Sequence, residues 1–167
     1  MATQLSALLQ IAAAAKLKAS DPHTGSTDHR IGNGSQGRRW VEGQASGQVD
    51  RVYLKSGSLA SGGSDTYDLR SAGQLTDIYG QDLDLGELKA LVLKSISGSI
   101  LFEGHSSHAI PFFASHGDGV ILTSGQALAV DFGPSGIDVS SLSRFHIHEQ
   151  TGSAAAEYKI WLIGSNS

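Results

Sequence analysis

The sequence has 167 residues, a formal net charge of −4 and no cysteine. The length fits one domain with its own core, and the acidic balance argues against nucleic-acid binding, which depends on Lys and Arg to neutralise phosphates. The lack of cysteine excludes a disulfide framework and a thiolate metal site, and no apolar run approaches the ~20 residues of a membrane-spanning helix. Charged residues make up only 17% of the chain, which is low for a soluble domain and typical of a surface that another molecule covers.

The chain begins with an apolar segment, residues 1–19. Within it Leu5, Leu8, Leu9 and Ala12 recur at helical spacing and further alanines follow, which predicts a short amphipathic helix. A helix of this length is not stable alone, so it needs a surface to lie against. The basic residues follow the apolar stretch instead of preceding it, which is not typical of a signal peptide.

Residues 20–47 contain little that could be buried, because they are rich in Gly, Ser, Asp, His and Arg. Such a segment is either disordered or ordered by contact with a neighbour. Trp40 is its expected anchor, since a large aromatic residue is a poor fit for free solvent. Packing of Trp40 on its own domain is an equal alternative to contact with another molecule. The predicted division is therefore an N-terminal arm, residues 1–48, and a β-domain, residues 49–167.

From Val49 onwards, short apolar segments alternate with glycine-containing turns. The segment Leu91–Leu93 is apolar at every position, which predicts a strand that is buried on both faces. About eight evenly spaced strands predict an all-β fold, a jelly-roll-like antiparallel β-sandwich. The strands are predicted at residues 50–55, 66–69, 87–94, 99–103, 120–122, 127–131, 143–148 and 157–163.

The residues from Asp50 to the C-terminus resemble a family of small bacteriophage virion proteins. The resemblance lies in a strand, a Leu-Ala-small-small turn, an Asp-Leu strand, a Leu-Thr-Asp-aromatic-Gly corner, a strand that begins with a charged residue before Lys-Ala, and a closing strand of the form Tyr-x-Ile-x-Ile-x-Gly. These elements correspond here to Asp50–Tyr53, Leu59–Ser64, Tyr67–Leu69, Leu75–Gly80, Glu87–Leu93 and Tyr158–Gly164.

A glycine-rich segment, Gly32–Gly37, has the G-x-G-x-x-G spacing of dinucleotide-binding loops. That motif needs a hydrophobic strand before it and a helix after it, with the phosphate at the helix N-terminus. The flanking residues provide neither. We therefore interpret the glycines as part of the arm.

Seven histidines are present, and His146 and His148 are predicted to share one face of a strand while Phe145 and Ile147 point into the core. A His-x-His pair on such a strand resembles the metal motif of cupins. The chain departs from that motif, because Glu149 follows His148 directly and no later histidine exists. We expect a surface or inter-subunit role for these histidines, with a structural ion at a symmetry axis as an alternative, and no cofactor.

Carboxylates give no catalytic pair. Asp82, Asp84 and Glu87 alternate with leucines, as solvent-facing residues do, and no cleft between them is predicted. Nucleophile motifs of the G-x-S-x-G kind are absent. We expect no enzymatic activity.

The resemblance implies a capsid decoration (cement) protein, located on the capsid exterior of the virion. Its expected partners are the major capsid protein and its own copies, in a homotrimer that stabilises the shell, with neither nucleic acid nor a membrane. An arm without a core of its own is ordered by wrapping a neighbour, which increases the buried area per subunit. The candidate residues for capsid or inter-subunit contact are Leu5, Leu8, Leu9, Arg38, Arg39, Trp40, His146 and His148.

An alternative function is host carbohydrate binding by a phage tail or fibre module. Phe112 and Phe113, in the loop that spans residues 105–116, are its candidate site, because loops at one end of a sandwich often carry binding residues.

Overall fold

The structure, a computed structural model, describes residues 6–21, 25–71, 73–77, 80, 82–114 and 117–166, with the backbone alone for residues 6–21 and 25–37. The regular elements of these residues are all strands, so the all-β prediction is confirmed. None of the described residues form a helix long and apolar enough to cross a membrane. The strands are β1 (Ser6–Asp21), β2 (Gly25–Glu42), β3 (Gln48–Val49), β4 (Arg51–Leu59), β5 (Ser64–Asp68), β6 (Glu87–Ser97), β7 (Ser99–Gly104), β8 (Gly119–Thr123), β9 (Ala127–Asp131), β10 (Ile137–Asp138), β11 (Arg144–Glu149) and β12 (Ala156–Ser165).

Two antiparallel sheets form a β-sandwich, as predicted. The five-stranded sheet has the order β4-β12-β6, with β9 and β10 both pairing with β6, and the four-stranded sheet has the order β5-β11-β7-β8. Successive strands from β4 to β7 alternate between the two sheets. The finer prediction of jelly-roll connectivity stays a prediction.

The core lies between the inner faces of the two sheets. Tyr67, Phe102 and Phe145 from the four-stranded sheet meet Leu91 and Ile160 from the five-stranded sheet, and all are at most 1% exposed. Each large apolar side chain that is removed from water stabilises the fold by about 1.5–3 kcal/mol. This burial fixes which face of each strand is left outside.

The alternation along β11 and β6 follows the predicted pattern. Phe145 and Ile147 are fully buried, while His146 and His148 lie on the outer face. In β6, Leu91 and Leu93 enter the core, and Val92 between them packs beneath the arm. The strand is therefore covered on both sides, as its continuous apolar run indicates.

Gly98 is the single residue that connects β6 to β7, where the chain passes from one sheet to the other. Its φ is +72°, and an added Cβ would lie 2.9 Å from the carbonyl oxygen of Ala155. Both the conformation and the space require glycine.

The N-terminal segment forms a strand and not the predicted helix. β1 pairs with β2 from Ser6–Val41 to Asp21–Gly25, with a register shift between Ala13 and Ala15, and β2 pairs in parallel with β3. The helix prediction for residues 1–19 is wrong over the described residues. The ladder with β2 gives the backbone of β1 hydrogen-bond partners, and β1 is apolar at alternate positions as well as at helical spacing.

Candidate assembly surface

Trp40 fixes the arm to the outer face of the five-stranded sheet. It is fully buried, in a small cluster with Val49 and Ala90 that also contacts Val92 and Ile163. Alanine at position 90 leaves room for the indole, which accounts for the close fit. Trp40 is thus the anchor of the arm, and the surface it covers belongs to its own chain.

Arg38 adds a second attachment two residues away. Its Nε donates to both carboxylate oxygens of Asp131 in β9, at 3.0 and 2.8 Å. The two side chains are 36% and 30% exposed, so the pair contributes at most about 1 kcal/mol. Since β9 is an edge strand of the sheet, this ion pair ties β2 to the edge.

Lys89 provides the third attachment, and it is fully buried. It lies at an irregularity in the β6–β12 ladder, where Ile163 pairs with Ala90 but Gly164 pairs with Leu88. Lys89 is the extra residue of this bulge, and bulges redirect side chains.

The ammonium group of Lys89 holds the chain that follows β2. Its Nζ donates to the carbonyl oxygens of Gln48, at 2.6 Å, and Ala45, at 3.1 Å, and lies 3.2 Å from a carboxylate oxygen of Glu87. We call residues 38–49 the arm base. Three kinds of contact, apolar, ionic and buried polar, join it to the sandwich.

Residues 10–37, which we call the outer arm, have no neighbouring strand other than each other in the described chain. The register places every odd-numbered position of β1 from Ala7 to Ala19 on the same face as Trp40. We call this the apolar face of the arm. Its positions in β1 are Ala7, Leu9, Ile11, Ala13, Ala15, Leu17 and Ala19.

The opposite face carries four of the five Lys and Arg residues of the arm, with Arg38 on the apolar face, and we call it the basic face. Lys16 and Lys18 occupy even-numbered positions of β1, and Arg30 and Arg39 are paired with positions on that face. Residues 1–42 contain five Lys and Arg against three Asp and Glu, whereas residues 43–167 contain seven against thirteen. The arm is therefore basic and the sandwich acidic.

Among the predicted contact residues, the register brings five together at the arm base, namely Leu8, Leu9, Arg38, Arg39 and Trp40. Leu9 is opposite Arg38 on the apolar face, and Leu8 is opposite Arg39 on the basic face. Arg39 is exposed. Leu5 lies outside the described residues.

His146 and His148 lie elsewhere, on the outer face of the four-stranded sheet. The ring centroids of His105 and His146 are 4.3 Å apart and those of His146 and His148 are 5.1 Å apart. His148 Nε2 is 2.8 Å from a carboxylate oxygen of Glu103, and His146 Nδ1 is 3.0 Å from the hydroxyl of Thr66. Across the described ranges, no group of three or more acidic or histidine side chains is arranged to hold a metal ion. The histidines form a row on the opposite side of the sandwich from the arm base.

The aromatic residues of the loop at residues 105–114 do not form an exposed platform. Phe112 and Phe113 are partly buried against the core, with ring centroids 5.0 Å apart, and Phe113 meets Phe102 at 4.8 Å. Both rings are thus only partly exposed, and the carbohydrate alternative stays a prediction.

The glycine-rich segment, Gly32–Gly37, lies inside β2. No phosphate-binding turn between a strand and a helix exists there, in agreement with its interpretation as part of the arm.

Several polar groups hold the sandwich together at the edge formed by β4 and β5. The hydroxyl of Tyr158 donates to Asp65, the hydroxyls of Tyr67 and Tyr158 are 2.7 Å apart, and Lys55 Nζ lies 3.1 Å from Asp65. Burial, with Tyr53 and Asp65 as neighbours, raises the pKa of Tyr67 well above its usual range, although the hydrogen bond with Tyr158 lowers it in part. Burial and the hydrogen bond to Asp65 raise the pKa of Tyr158 in the same direction.

Two carboxylates join loops. The hydrogen bond from the Thr151 hydroxyl, with backbone N–H groups of Gly62, Thr151 and Gly152, lowers the pKa of Glu149 to about 2. Burial opposes ionisation of Asp68, but hydrogen bonds from Ser143, the Arg70 backbone and Arg144 outweigh it and lower its pKa. Both carboxylates have structural partners at their oxygens.

Comparison with known proteins leaves the family open. No protein-family model matches the sequence, and no curated protein matches it either. The fold is similar to the crystal structure of BH2720 from Bacillus halodurans, with 10% identity and a TM-score of 0.39. The similarity covers 71% of this chain and 66% of that chain.

Lys89, Asp131 and the network around Asp65 have no signal in the sequence that marks them as structural contacts. In the sequence, Lys89 looks like any charged residue of a strand. Only the bulge in β6 directs its side chain toward the arm base. The alternation of β1, by contrast, is visible in the sequence, since apolar residues occupy its odd-numbered positions from Ala7 to Ala19.

Proposed function

We propose that this chain is a phage capsid decoration protein, a homotrimer that binds the outer surface of the shell and stabilises it. The observation that carries the proposal is the arm. The sandwich presents it from a base fixed by Trp40, Arg38 and Lys89, while no further strand of the described chain pairs with its outer part.

The strand order supports the jelly-roll part of the proposal. Counting β4, β5, β6, β7, β8, β9, β11 and β12 as strands one to eight, the sheets have the orders 1-8-3-6 and 2-7-4-5. Each sheet thus combines strands from both ends of the domain, as expected of two Greek keys folded together.

The charge distribution supports attachment through the arm. The basic face carries Lys16, Lys18, Arg30 and Arg39, and the sandwich is acidic. An acidic region of the shell, provided by the major capsid protein, is the complementary partner, and complementary charge raises the rate and specificity of association. Attachment should weaken with salt.

The test is to mix the full-length protein with purified shells that lack it. We expect saturable binding by a species of three times 17.4 kDa, with a rise in the melting temperature of the shell because the ligand binds only the intact form. Arg39→Glu, on the basic face, should weaken attachment. Lys94→Glu, an exposed charge reversal on the sandwich, is the matched control and should not.

Two results would contradict the proposal. One is a protein that ignores shells at low salt. The other is retention on host polysaccharide with no shell binding, which would favour a tail or fibre module.

A further inference from the structure

We propose that the outer face of the five-stranded sheet binds an acidic sugar of the uronic-acid class, at the end that Trp40 does not cover. We call this end, from Trp161 to Glu157 on β12 with the neighbouring positions of β4 and β6, the open face. The inference goes beyond the decoration role and does not rest on it, because the open face belongs to the sandwich and not to the arm.

The open face is exposed although the arm base lies on the same side of the sheet. Trp40 covers the other end of this side, where it contacts Ile163. Alternate residues of a strand point to the same face, so Trp161, Lys159 and Glu157 continue along β12 from Ile163. Trp161 is half-buried, and Lys159 and Glu157 are exposed. A ligand can therefore reach these side chains while the arm base is in place.

Two lysines lie directly opposite each other on the open face. Lys94 in β6 pairs with Lys159 in β12, and both are exposed. Neither forms an ion pair with another residue that the structure describes. Like charges at directly opposite positions of a sheet are destabilising. A carboxylate bound between the two ammonium groups would remove this repulsion, so the pair favours an anionic ligand.

A depression of about 350 Å³ adjoins the lysine pair. Its lining includes Ser56 and Ser58 of β4, Lys159 and Glu157 of β12, and Ile96, which is 38% exposed. Ligand sites typically combine a concave volume of roughly 300–1,000 Å³ with a few polar groups. Serine hydroxyls both donate and accept hydrogen bonds, and these two have no hydrogen-bond partner in the described part of the chain. The depression thus offers groups that match the hydroxyls of a sugar.

Trp161 supplies the apolar part of the site, next to the lysine pair. In the register it lies between Leu54 of β4 and Val92 of β6, and Leu54 is 49% exposed. An indole presents a large apolar surface with one polar N–H group. A sugar ring has an apolar C–H face and a polar rim of hydroxyls, so it can pack on Trp161 while its rim faces the depression.

The arrangement of the charges also orients the ligand. Glu157 lies at the far end of the open face from Trp161 and would repel a carboxylate, so the acidic group of the sugar should lie at the lysine pair. Glu157 can instead accept hydrogen bonds from sugar hydroxyls. An acidic peptide would rely mainly on backbone hydrogen bonds to the edge strand β4, and it would leave the serine hydroxyls and the indole with little to do.

The test uses the full-length protein with tetragalacturonate as the probe and the neutral galactotetraose as its matched control. The chain has two tryptophans, so the indole N–H signals in a nitrogen-15 correlation spectrum report on Trp161 and Trp40 separately, and Trp161→Phe assigns them. We expect tetragalacturonate to shift the Trp161 signal and not that of the fully buried Trp40. Its affinity should exceed that of the neutral probe by about tenfold or more, because of the charge-assisted contacts.

Two charge reversals separate this site from shell attachment. Lys94→Glu should weaken tetragalacturonate binding by about tenfold or more, without lowering the melting temperature, because it replaces a repulsive cross-strand pair by an attractive one. Arg39→Glu, at an exposed position of the arm base, is the matched control and should leave the affinity for the sugar unchanged. Shell binding of the same two variants should show the opposite pattern, so failure of the sugar site is distinguishable from failure of the decoration role.

Four results would overturn the inference. The first is a Trp161 signal that does not move at millimolar tetragalacturonate, and the second is equal affinity for the acidic and the neutral probe. The third is unchanged affinity in Lys94→Glu. The fourth is equally tight binding of tetraglutamate, which would assign the open face to an acidic peptide.

Discussion

The sandwich and the arm are both built from β-strands, but the strands of the two regions have different neighbours. In the sandwich, β6 has a neighbour along each edge, the core on one face and Trp40 on the other. In the outer arm, each strand pairs with the other and with no further strand of the described chain. The difference shows that strand pairing alone does not make a segment part of a domain; packing of its faces against a core does.

The arm base is the transition between these two regions. Trp40, Arg38 and Lys89 attach it to the sandwich by contacts that differ widely in strength. A boundary drawn at residue 48 would cut away Trp40 and uncover Ala90 and Val92, so residue 37 is the better place to separate the outer arm from the folded unit.

High pH should affect the sandwich most. Tyr67 and Tyr158 have pKa values raised above their usual 10, so the folded state binds more protons than the unfolded state above pH 10, and stability falls as pH rises. The expected loss is about 1.4 kcal/mol per group per pH unit. Urea unfolding at successive pH values, with tyrosinate absorbance as the second signal, should show ionisation together with unfolding. Ionisation of these tyrosines in the folded protein near pH 10 would contradict the burial.

Trp40→Ala should detach the arm base. Loss of a fully buried tryptophan costs about 3–5 kcal/mol, and amides of residues 38–49 should lose protection from hydrogen exchange. Arg39→Ala, at the exposed neighbouring position, is the control and should change stability by no more than about 0.5 kcal/mol. A loss below about 1 kcal/mol in Trp40→Ala would mean that the base is held mainly elsewhere.

Lys89→Met should have a smaller effect on the same region. It keeps the length of the side chain but leaves the carbonyl oxygens of Ala45 and Gln48 without their donor, at a cost of about 1–3 kcal/mol. Lys94→Met, an exposed position on the same strand, is the control for both charge and strand propensity. Urea unfolding measures both, and equal stability of the two variants would exclude the structural role of Lys89.

Asp131→Asn should have the smallest effect. The partly exposed ion pair with Arg38 contributes at most about 1 kcal/mol, and less at high salt. A double-mutant cycle with Arg38→Gln isolates the pair. If the coupling free energy is unchanged in high salt, the contact between the two side chains is not mainly an exposed ion pair.

Much of the sandwich could be predicted from the sequence. The alternation of Phe145 and Ile147 with His146 and His148, and the continuous apolar run of β6, both depend on burial by neighbouring strands and appear directly in the sequence pattern. The turns between strands were equally visible as glycines.

The arm was less predictable than the sandwich, because the sequence of β1 fits both the helical and the strand periodicity. Leu5, Leu8, Leu9 and Ala12 fit a helix, the odd-numbered positions fit a strand, and alanine favours the helix intrinsically. The partner strand decides between them, and that choice depends on tertiary contacts. Burial of Lys89 depends on a bulge, which has no signal of its own in the residues around it.

The most direct test of the account is hydrogen exchange of the full-length protein, free of shells, at low and high protein concentration. The account predicts that residues 38–49 are protected at both concentrations. Residues 10–37 should be less protected than residues 38–49, because pairing between β1 and β2 is their only strand contact in the described chain. Protection of residues 10–37 equal to that of the sandwich at the lowest concentration would contradict the account, since the arm would then be covered by its own chain.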